Sequence, residues 1–249
     1  MKLSDVKEYY QKIFRPDLTT IVVIGNISAK DAVASFEKYF GDWRATGSKP
    51  KTDYEPGKSN GTSTIFVPDK QRLQDDVTLK EVLTLTRSNP DYYPLQVGVA
   101  VISGGFYATR LSKELREKRG LVYSVEASLA SDKTYSEFAI SYGTSAKNVF
   151  SVRSIIERII GDMIQNPIPV SELEQAKNIL VNQMILSKTS YTDIAGELLE
   201  RAMLDLPLNE QETAMRVINQ TTPGQVKAAF GKWIRPKDLV LVSRGPRPH

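Results

Sequence analysis

One histidine, His249, closes the chain, and no cysteine accompanies it. Those two facts bound the chemistry that 249 residues can do. No serine, threonine or cysteine can borrow an imidazole base, so the nucleophile–base pairs of covalent hydrolases are not met. A catalytic zinc commonly takes three protein ligands, rich in histidine, and this chain offers no such set. The carboxylate pairs are Asp75-Asp76 and Glu172/Glu174. Neighbours in a strand point to opposite faces, which separates Asp75 from Asp76. Acids in a first helical turn, where Glu172 and Glu174 are expected, favour the helix dipole. Both pairs read as solvated surface charge. Gly104-Gly105 lacks the third spaced glycine and the Gly-Lys-Ser/Thr of nucleotide loops, and reads as a tight turn. What remains is a run of donors, Arg116, Lys118 and Arg119, with Tyr123 after Gly120. By type alone these cations complement a helix C-terminus and Tyr123 packs in a sheet.

The elements that position them follow from spacing. In residues 101–125, VISGGFYATRLSKELREKRGLVYSV, Leu111 and Leu115 share a helix face. Gly120 fits the position just past a helix end. Leu121, Tyr123, Val125 and Ala127 then fall on one strand face, with Val122, Ser124, Glu126 and Ser128 on the other. Upstream, Ser28 with Asp31 opens a helix over 28–40, and 44–61 is a Pro/Gly/Ser/Lys-rich linker. Strands are expected at 63–67 and 77–84. Asn89-Pro90 starts a helix, although its valine-rich interior leaves helix and strand competing. A strand pair at 121–130 and 136–143 surrounds the turn 131–134. Helices follow near 147–165, 171–188, 191–206 and 209–219, with start signals Ser171-x-x-Glu174 and Asn209-x-x-Glu212. Strands followed by runs of helices predict an α+β fold, helices packed on a largely antiparallel sheet.

Residues 6–25, VKEYYQKIFRPDLTTIVVIG, match 226–245, VKAAFGKWIRPKDLVLVSRG, at an offset of 220. Val6/Val226, Lys7/Lys227, Lys12/Lys232, Arg15/Arg235, Pro16/Pro236, Val22/Val242 and Gly25/Gly245 are identical. Each copy reads as a helix, an Arg-Pro break and an apolar strand. A common helix-to-strand junction recurring by chance is one explanation; a repeated module is the simpler one. On that reading residues 1–43 end a preceding module, 44–61 link, and 62–249 form a second module, so an upstream segment is expected. Hydrophobic content of 41% and charged content of 25% are those of a globular domain. The net charge of +4 is scattered, which argues against nucleic acid as a partner. No stretch is apolar enough for a membrane span. The aromatics Tyr92-Tyr93 and Phe106-Tyr107 read as core and wall rather than a base-stacking platform.

Segment 101–125 resembles the glycine-glycine, SRL…LREK.GL.YSV signature of the pitrilysin/insulinase family, zinc metallopeptidases that include mitochondrial processing peptidase. Residues 77–97, VTLKEVLTLTRSNPDYYPLQV, resemble that family's second module. The resemblance implies the mitochondrial-processing-peptidase/LuxS-like metallohydrolase fold and a peptide or unfolded-protein substrate. The family's zinc site is an inverted H-x-x-E-H helix. The corresponding stretch here, Tyr92-Tyr93-Pro94-Leu95-Gln96-Val97-Gly98, carries no ligand, so zinc in the complete enzyme is expected on an upstream module or a partner subunit and none in this chain. The resemblance also assigns roles from the non-zinc module. Arg116 and Tyr123 hold substrate and help polarise the scissile carbonyl, since guanidinium and phenol donors can steady an oxyanion. Gly104 and Gly105 border the substrate chamber. A homo- or heterodimer within the family is open, as is the compartment, bacterial cytoplasm or periplasm. The alternative is a non-proteolytic scaffold subunit, like the respiratory-complex core proteins that share the fold.

Overall fold

The computed structural model describes residues 1–103 and 109–246. Gly104, Gly105, Phe106, Tyr107 and His249 lie outside the described residues. In chain order the helices are α1 (Leu3–Ile13), α2 (Ala29–Phe40), α3 (Tyr92–Ser103), α4 (Val149–Gln165), α5 (Val170–Leu186), α6 (Tyr191–Met203), α7 (Glu210–Gln220) and α8 (Pro223–Trp233). The strands are β1 (Thr64–Pro68), β2 (Asp75–Leu83), β3 (Val122–Ser131), β4 (Ser136–Thr144) and β5 (Val240–Gly245). They form two compact units, Met1–Asp53 with Ser187–Leu208, and Tyr54–Leu186 with Asn209–His249.

The larger unit is an α+β domain. Its five strands run in the order β1-β5-β2-β4-β3. Only β1 and β5 pair in parallel; β5–β2, β2–β4 and β4–β3 are antiparallel. Alternation fixes the faces: Val77, Leu79 and Leu83 of β2 and Phe138, Ile140 and Tyr142 of β4 point into the core. The valine-rich segment is a helix, α3, buried from Tyr93 to Ile102 except at Gln96. A helix apolar on every side belongs at the centre of the packing, and α3 is lined by α5, α7, α8 and β3. Gly98 lets α8 approach closely, because an added Cβ would overlap the Phe230 ring. Asp91, just before α3, accepts from Lys232 Nζ at 2.6 Å and Trp233 Nε1 at 2.8 Å, tying the start of α3 to the end of α8.

One expectation fails here. Asp76 is exposed and pairs with Arg72, but Asp75 is completely buried and not solvated surface charge. Asp75 shares the inward face of β2 with Val77 and Leu79, and strand parity overrides residue type. Glu81, on the same face, is also buried, and its Oε2 accepts the Arg235 N–H at 3.0 Å.

The smaller unit is different in character. None of α1, α2 or α6 has a buried residue, and Val6, Tyr10, Phe14, Ile21, Val23 and Phe40 are exposed. Its buried group is Arg15, whose guanidinium donates to Asp17 and to the carbonyls of Thr46 and Ser48. The repeat is visible in local structure. α1 and the 3-10 turn Pro16–Leu18 recur 220 residues on as α8 and the turn Pro236–Asp238. The strand does not recur: 240–245 is β5, whereas 20–24 has no ladder partner among the described residues. The segment 44–61 has neither helix nor strand. Near its end, and already within the larger unit, Asn60 accepts from Val82 N–H at 2.6 Å and donates to the Asp238 carbonyl at 2.9 Å.

Candidate functional site

The segment carrying Arg116 is helical, but it is a π-helix, Ser112–Glu117, with Lys118 N–H donating five residues back to the Lys113 carbonyl at 3.0 Å. Single π-turns within helices are frequent at functional sites. Leu111 and Leu115 are fully buried and anchor the turn, as their spacing predicts. On the outer side, the Glu114 carboxylate collects Arg119 and Arg158 at 3.0 Å and Lys118 at 3.3 Å. Arg119 and Lys118 hold that carboxyl below the usual range. Gly120 ends the turn at φ +60°, a left-handed conformation that glycine adopts without a Cβ penalty. Its N–H donates to Arg116 O at 3.0 Å, and Leu121 N–H reaches Leu115 O at 2.8 Å.

The chain then enters β3 through a β-bulge. Val122 pairs with Thr144 and Val125 with Tyr142, so three steps along β3 match two along β4. The extra residue breaks the strand's alternation. Val122, Ala127 and Leu129 face the core, while Tyr123 and Ser124 both point outward. Unbroken parity would place Tyr123 on the face of Leu121 and Val125; the bulge separates it from that face and leaves it 78% exposed. The buried hydroxyl of Thr144 donates to the Leu121 carbonyl at 2.6 Å and pins the entry to the bulge. Arg116 lies with its guanidinium carbon 5.7 Å from the centroid of the Tyr123 ring, within cation–π range. Arg116 and Tyr123 are therefore adjacent, at the surface, with two donors side by side. Gly104 and Gly105 lie outside the described residues. Sequence reasoning missed Glu114, which gathers the cations of the turn, and Thr144, which pins the entry to the bulge; the ion pairs and the pairing register reveal them.

A cleft of about 550 Å³ lies beside the π-turn, lined by Arg110, Lys113, Glu114, Arg158 and Asp162 among others. Its charges mostly answer one another: Arg110 meets both Asp162 and Glu172 at 2.7 Å. Glu172 is thus a cross-link between the π-turn's approach and α5 rather than a freely solvated acid, and Glu174 pairs with Lys177 at 2.9 Å.

The α3 residues that the resemblance aligns with zinc ligands make contacts of their own. Arg87 lies 4.0 Å from the Tyr92 ring centroid and donates to Tyr93 Oη at 2.9 Å, and Tyr93 donates to Glu210. Burial pushes the Tyr93 hydroxyl above its ordinary pKa. Gln96 Nε2 donates to Tyr92 Oη at 2.8 Å and to the Leu129 carbonyl at 3.0 Å. Among the described residues, no three histidine, cysteine or acidic side chains gather as a metal cluster. This donor set does not fit a catalytic zinc.

The profile described as "Peptidase M16 inactive domain" matches residues 1–180. The chain belongs to the peptidase M16 (insulinase/pitrilysin) family. It is 24% identical over 231 residues to "Uncharacterized zinc protease YmxG" of Bacillus subtilis, covering 87% of this chain and 51% of that protein. It is 26% identical over 258 residues to "Probable mitochondrial-processing peptidase subunit beta" of Schizosaccharomyces pombe, covering 97% and 54%. The chain thus spans about half the length of the curated relatives it matches. Among solved structures, the M16 inactive domain from Pseudomonas fluorescens superposes with a TM-score of 0.86 at 27% identity, covering all of this chain and 58% of that one. Complex III of Candida albicans contains a chain of the same fold, TM-score 0.83 at 16% identity, over 99% of this chain and 59% of that one. No helix among the described residues is long and apolar enough to cross a membrane.

Proposed function

We propose that this chain is the non-zinc, peptide-binding region of an M16 metallopeptidase. Arg116 and Tyr123 supply substrate contacts to a zinc site carried on another module or on a partner subunit. The observation that carries this reading is the bulge at Val122–Val125, which turns Tyr123 out of the sheet and beside Arg116. Tyr123 is exposed, and an exposed tyrosine beside a cation is a pair of donors with an apolar body, suited to a peptide carbonyl. The repeat supports a modular partner. In the larger unit, β5 lies between β1 and β2; the matching residues 20–25, which form no strand here and leave Ile21 and Val23 exposed, would pair as the closing strand of a preceding module. Residues 62–249 are then the second module.

A scaffold role is the second reading. It is favoured by the 22% identity, over 225 residues, to a Helicobacter pylori protein named "Non-peptidase homolog YmxG". One experiment separates the two. The chain is reconstituted with the zinc-bearing family member of its own organism, and peptide hydrolysis is measured. Arg116→Ala and Tyr123→Phe should each lower kcat/KM by about 10²–10³, the usual cost of one transition-state donor, with unfolding transitions unchanged. Full activity in both variants removes the pair from the mechanism; absence of hydrolysis with the wild-type chain selects the scaffold.

A further inference from the structure

β3 is the last strand of its sheet, and its outer edge is the place where an extended peptide could add as a sixth strand. Three of the backbone groups on that edge are already engaged. Ala127 N–H donates to Ser103 Oγ at 2.8 Å, and Ser103 Oγ in turn reaches the Val125 carbonyl at 3.5 Å. Gln96 Nε2 donates to the Leu129 carbonyl at 3.0 Å. Residues 125, 127 and 129 are alternate positions, so their N–H and C=O groups share one edge. Two side chains from α3 thus occupy part of this edge, taking one N–H and two C=O groups, with Ser103 acting as both donor and acceptor. Both come from a helix packed along β3 through its buried residues. The groove left beside this contact holds about 350 Å³, between α3, β3 and α5, with Val99, Ala100 and Leu180 in its lining.

We infer that α3 plugs the outer edge of β3, so that this module engages a peptide through Arg116 and Tyr123 at the bulged start of the strand and not by strand addition along 125–129. The peptide half of the statement rests on the reading proposed above; the plug itself does not. The physical argument is occupancy. A backbone N–H has one hydrogen to give, and that of Ala127 is already directed at Ser103. An incoming strand would have to displace two side chains held on a buried helix, leaving Ser103 and Gln96 to find new partners.

The test is amide exchange on the chain, with Ser103→Ala, Ser103→Thr and the double variant Gln96→Ala/Ser103→Ala. In Ser103→Ala the Ala127 amide should exchange at least ~10-fold faster than in the wild type, as for a hydrogen bond lost from an edge position. Ser103→Thr, which keeps the hydroxyl, should restore the slow rate. The probe for strand addition is a lysine-flanked Thr-Val repeat peptide, chosen for its strand propensity. Added to the wild type, it should leave the amides of Val125 and Leu129 unprotected; added to the double variant, it should slow both. Equal Ala127 exchange in wild type and Ser103→Ala overturns the plug. So does protection of Val125 and Leu129 in the wild type, or its absence in the double variant. Should the double variant not fold, Ser103→Ala takes its place in the probe arm. The kcat/KM of Arg116 and Tyr123 variants is read separately, so failure of the peptidase reading leaves these exchange results standing.

Discussion

Tyr123 faces solvent because a residue was inserted near it, not because of its own chemistry. Burial and register determine what the other candidate residues do as well, and Glu81 shows the effect in a titratable group. Its carboxyl is 2% exposed on the core face of β2, and burial pushes its pKa up to about 7, against which the Arg235 N–H is only a partial offset. In the unfolded chain it ionises near the ordinary glutamate value of 4.5. Between those two values the folded state holds a proton that the unfolded state has lost, so stability falls as pH rises through that window and is level above it. The full span corresponds to about 3 kcal/mol at most. Carboxyls held low, Asp91 by Lys232 and Asp162 first by the Asn166 amide and then by Arg110, act below this range and with the opposite sign. Urea unfolding of Glu81→Gln, which keeps an acceptor for Arg235, should therefore show much less loss of stability from pH 5 to pH 8 than the wild type. A wild type equally stable at both values counts against a buried neutral Glu81. The position of Arg116 on its turn was legible from the Leu111/Leu115 spacing, and so was the left-handed Gly120. The direction of Tyr123 was not, because period-two reasoning assumes an unbroken pleat. Asp75 differs: it shares strand parity with Val77 and Leu79, and that parity, not its charge, sets its burial.

At the scale of elements, start signals were reliable wherever a side chain does the capping. Ser28 Oγ accepts the Asp31 N–H at 3.1 Å at the head of α2, as its spacing predicts. Helix and strand remained in competition for α3 because a fully buried helix shows no amphipathic period. Its neighbours decide it, and the close approach of α8 at Gly98 is their clearest mark. Gly98→Ala is a direct probe. Alanine in a helix interior would contribute about 1 kcal/mol over glycine. Here the new Cβ would overlap the Phe230 ring and meet Val226 Cγ1 at 3.0 Å, and overpacking a filled core costs about 1–3 kcal/mol. The overlap is with the body of a buried ring, not a flexible tip, so the larger cost wins. The variant should lose about 2 kcal/mol in chemical denaturation, and combining it with Phe230→Leu should cost less than the sum of the two single changes. A stabilised Gly98→Ala would mean that α3 and α8 are not in contact at this point. The π-turn at Ser112–Glu117 had no signature in the pattern of apolar residues; a helix of either kind buries Leu111 and Leu115.

The two units of the whole molecule have different standing. The larger one contains the buried apolar cluster, and the smaller one exposes aromatic and aliphatic side chains along α1 and α2. The 220-residue repeat was readable because a capped helix and an Arg-Pro break leave the same marks twice. Its missing strand was not, because a strand exists only where an edge is present to pair with it. Zinc belongs to the same scale. On α3, where the resemblance would place zinc ligands, Tyr92, Tyr93 and Gln96 are engaged with Arg87, Glu210 and the Leu129 carbonyl. The purified chain should hold no stoichiometric zinc and hydrolyse no peptide by itself. A ligand that binds only the folded state at 100 times its Kd raises stability by about 2.7 kcal/mol, so a real site would also raise the unfolding temperature when zinc is added. Neither metal analysis nor thermal unfolding should respond, with or without His249. One zinc per chain after dialysis, accompanied by a higher unfolding temperature in both the full chain and a His249 deletion, would place a metal site within the M16 inactive domain and would require the division of labour proposed for the two modules to be withdrawn.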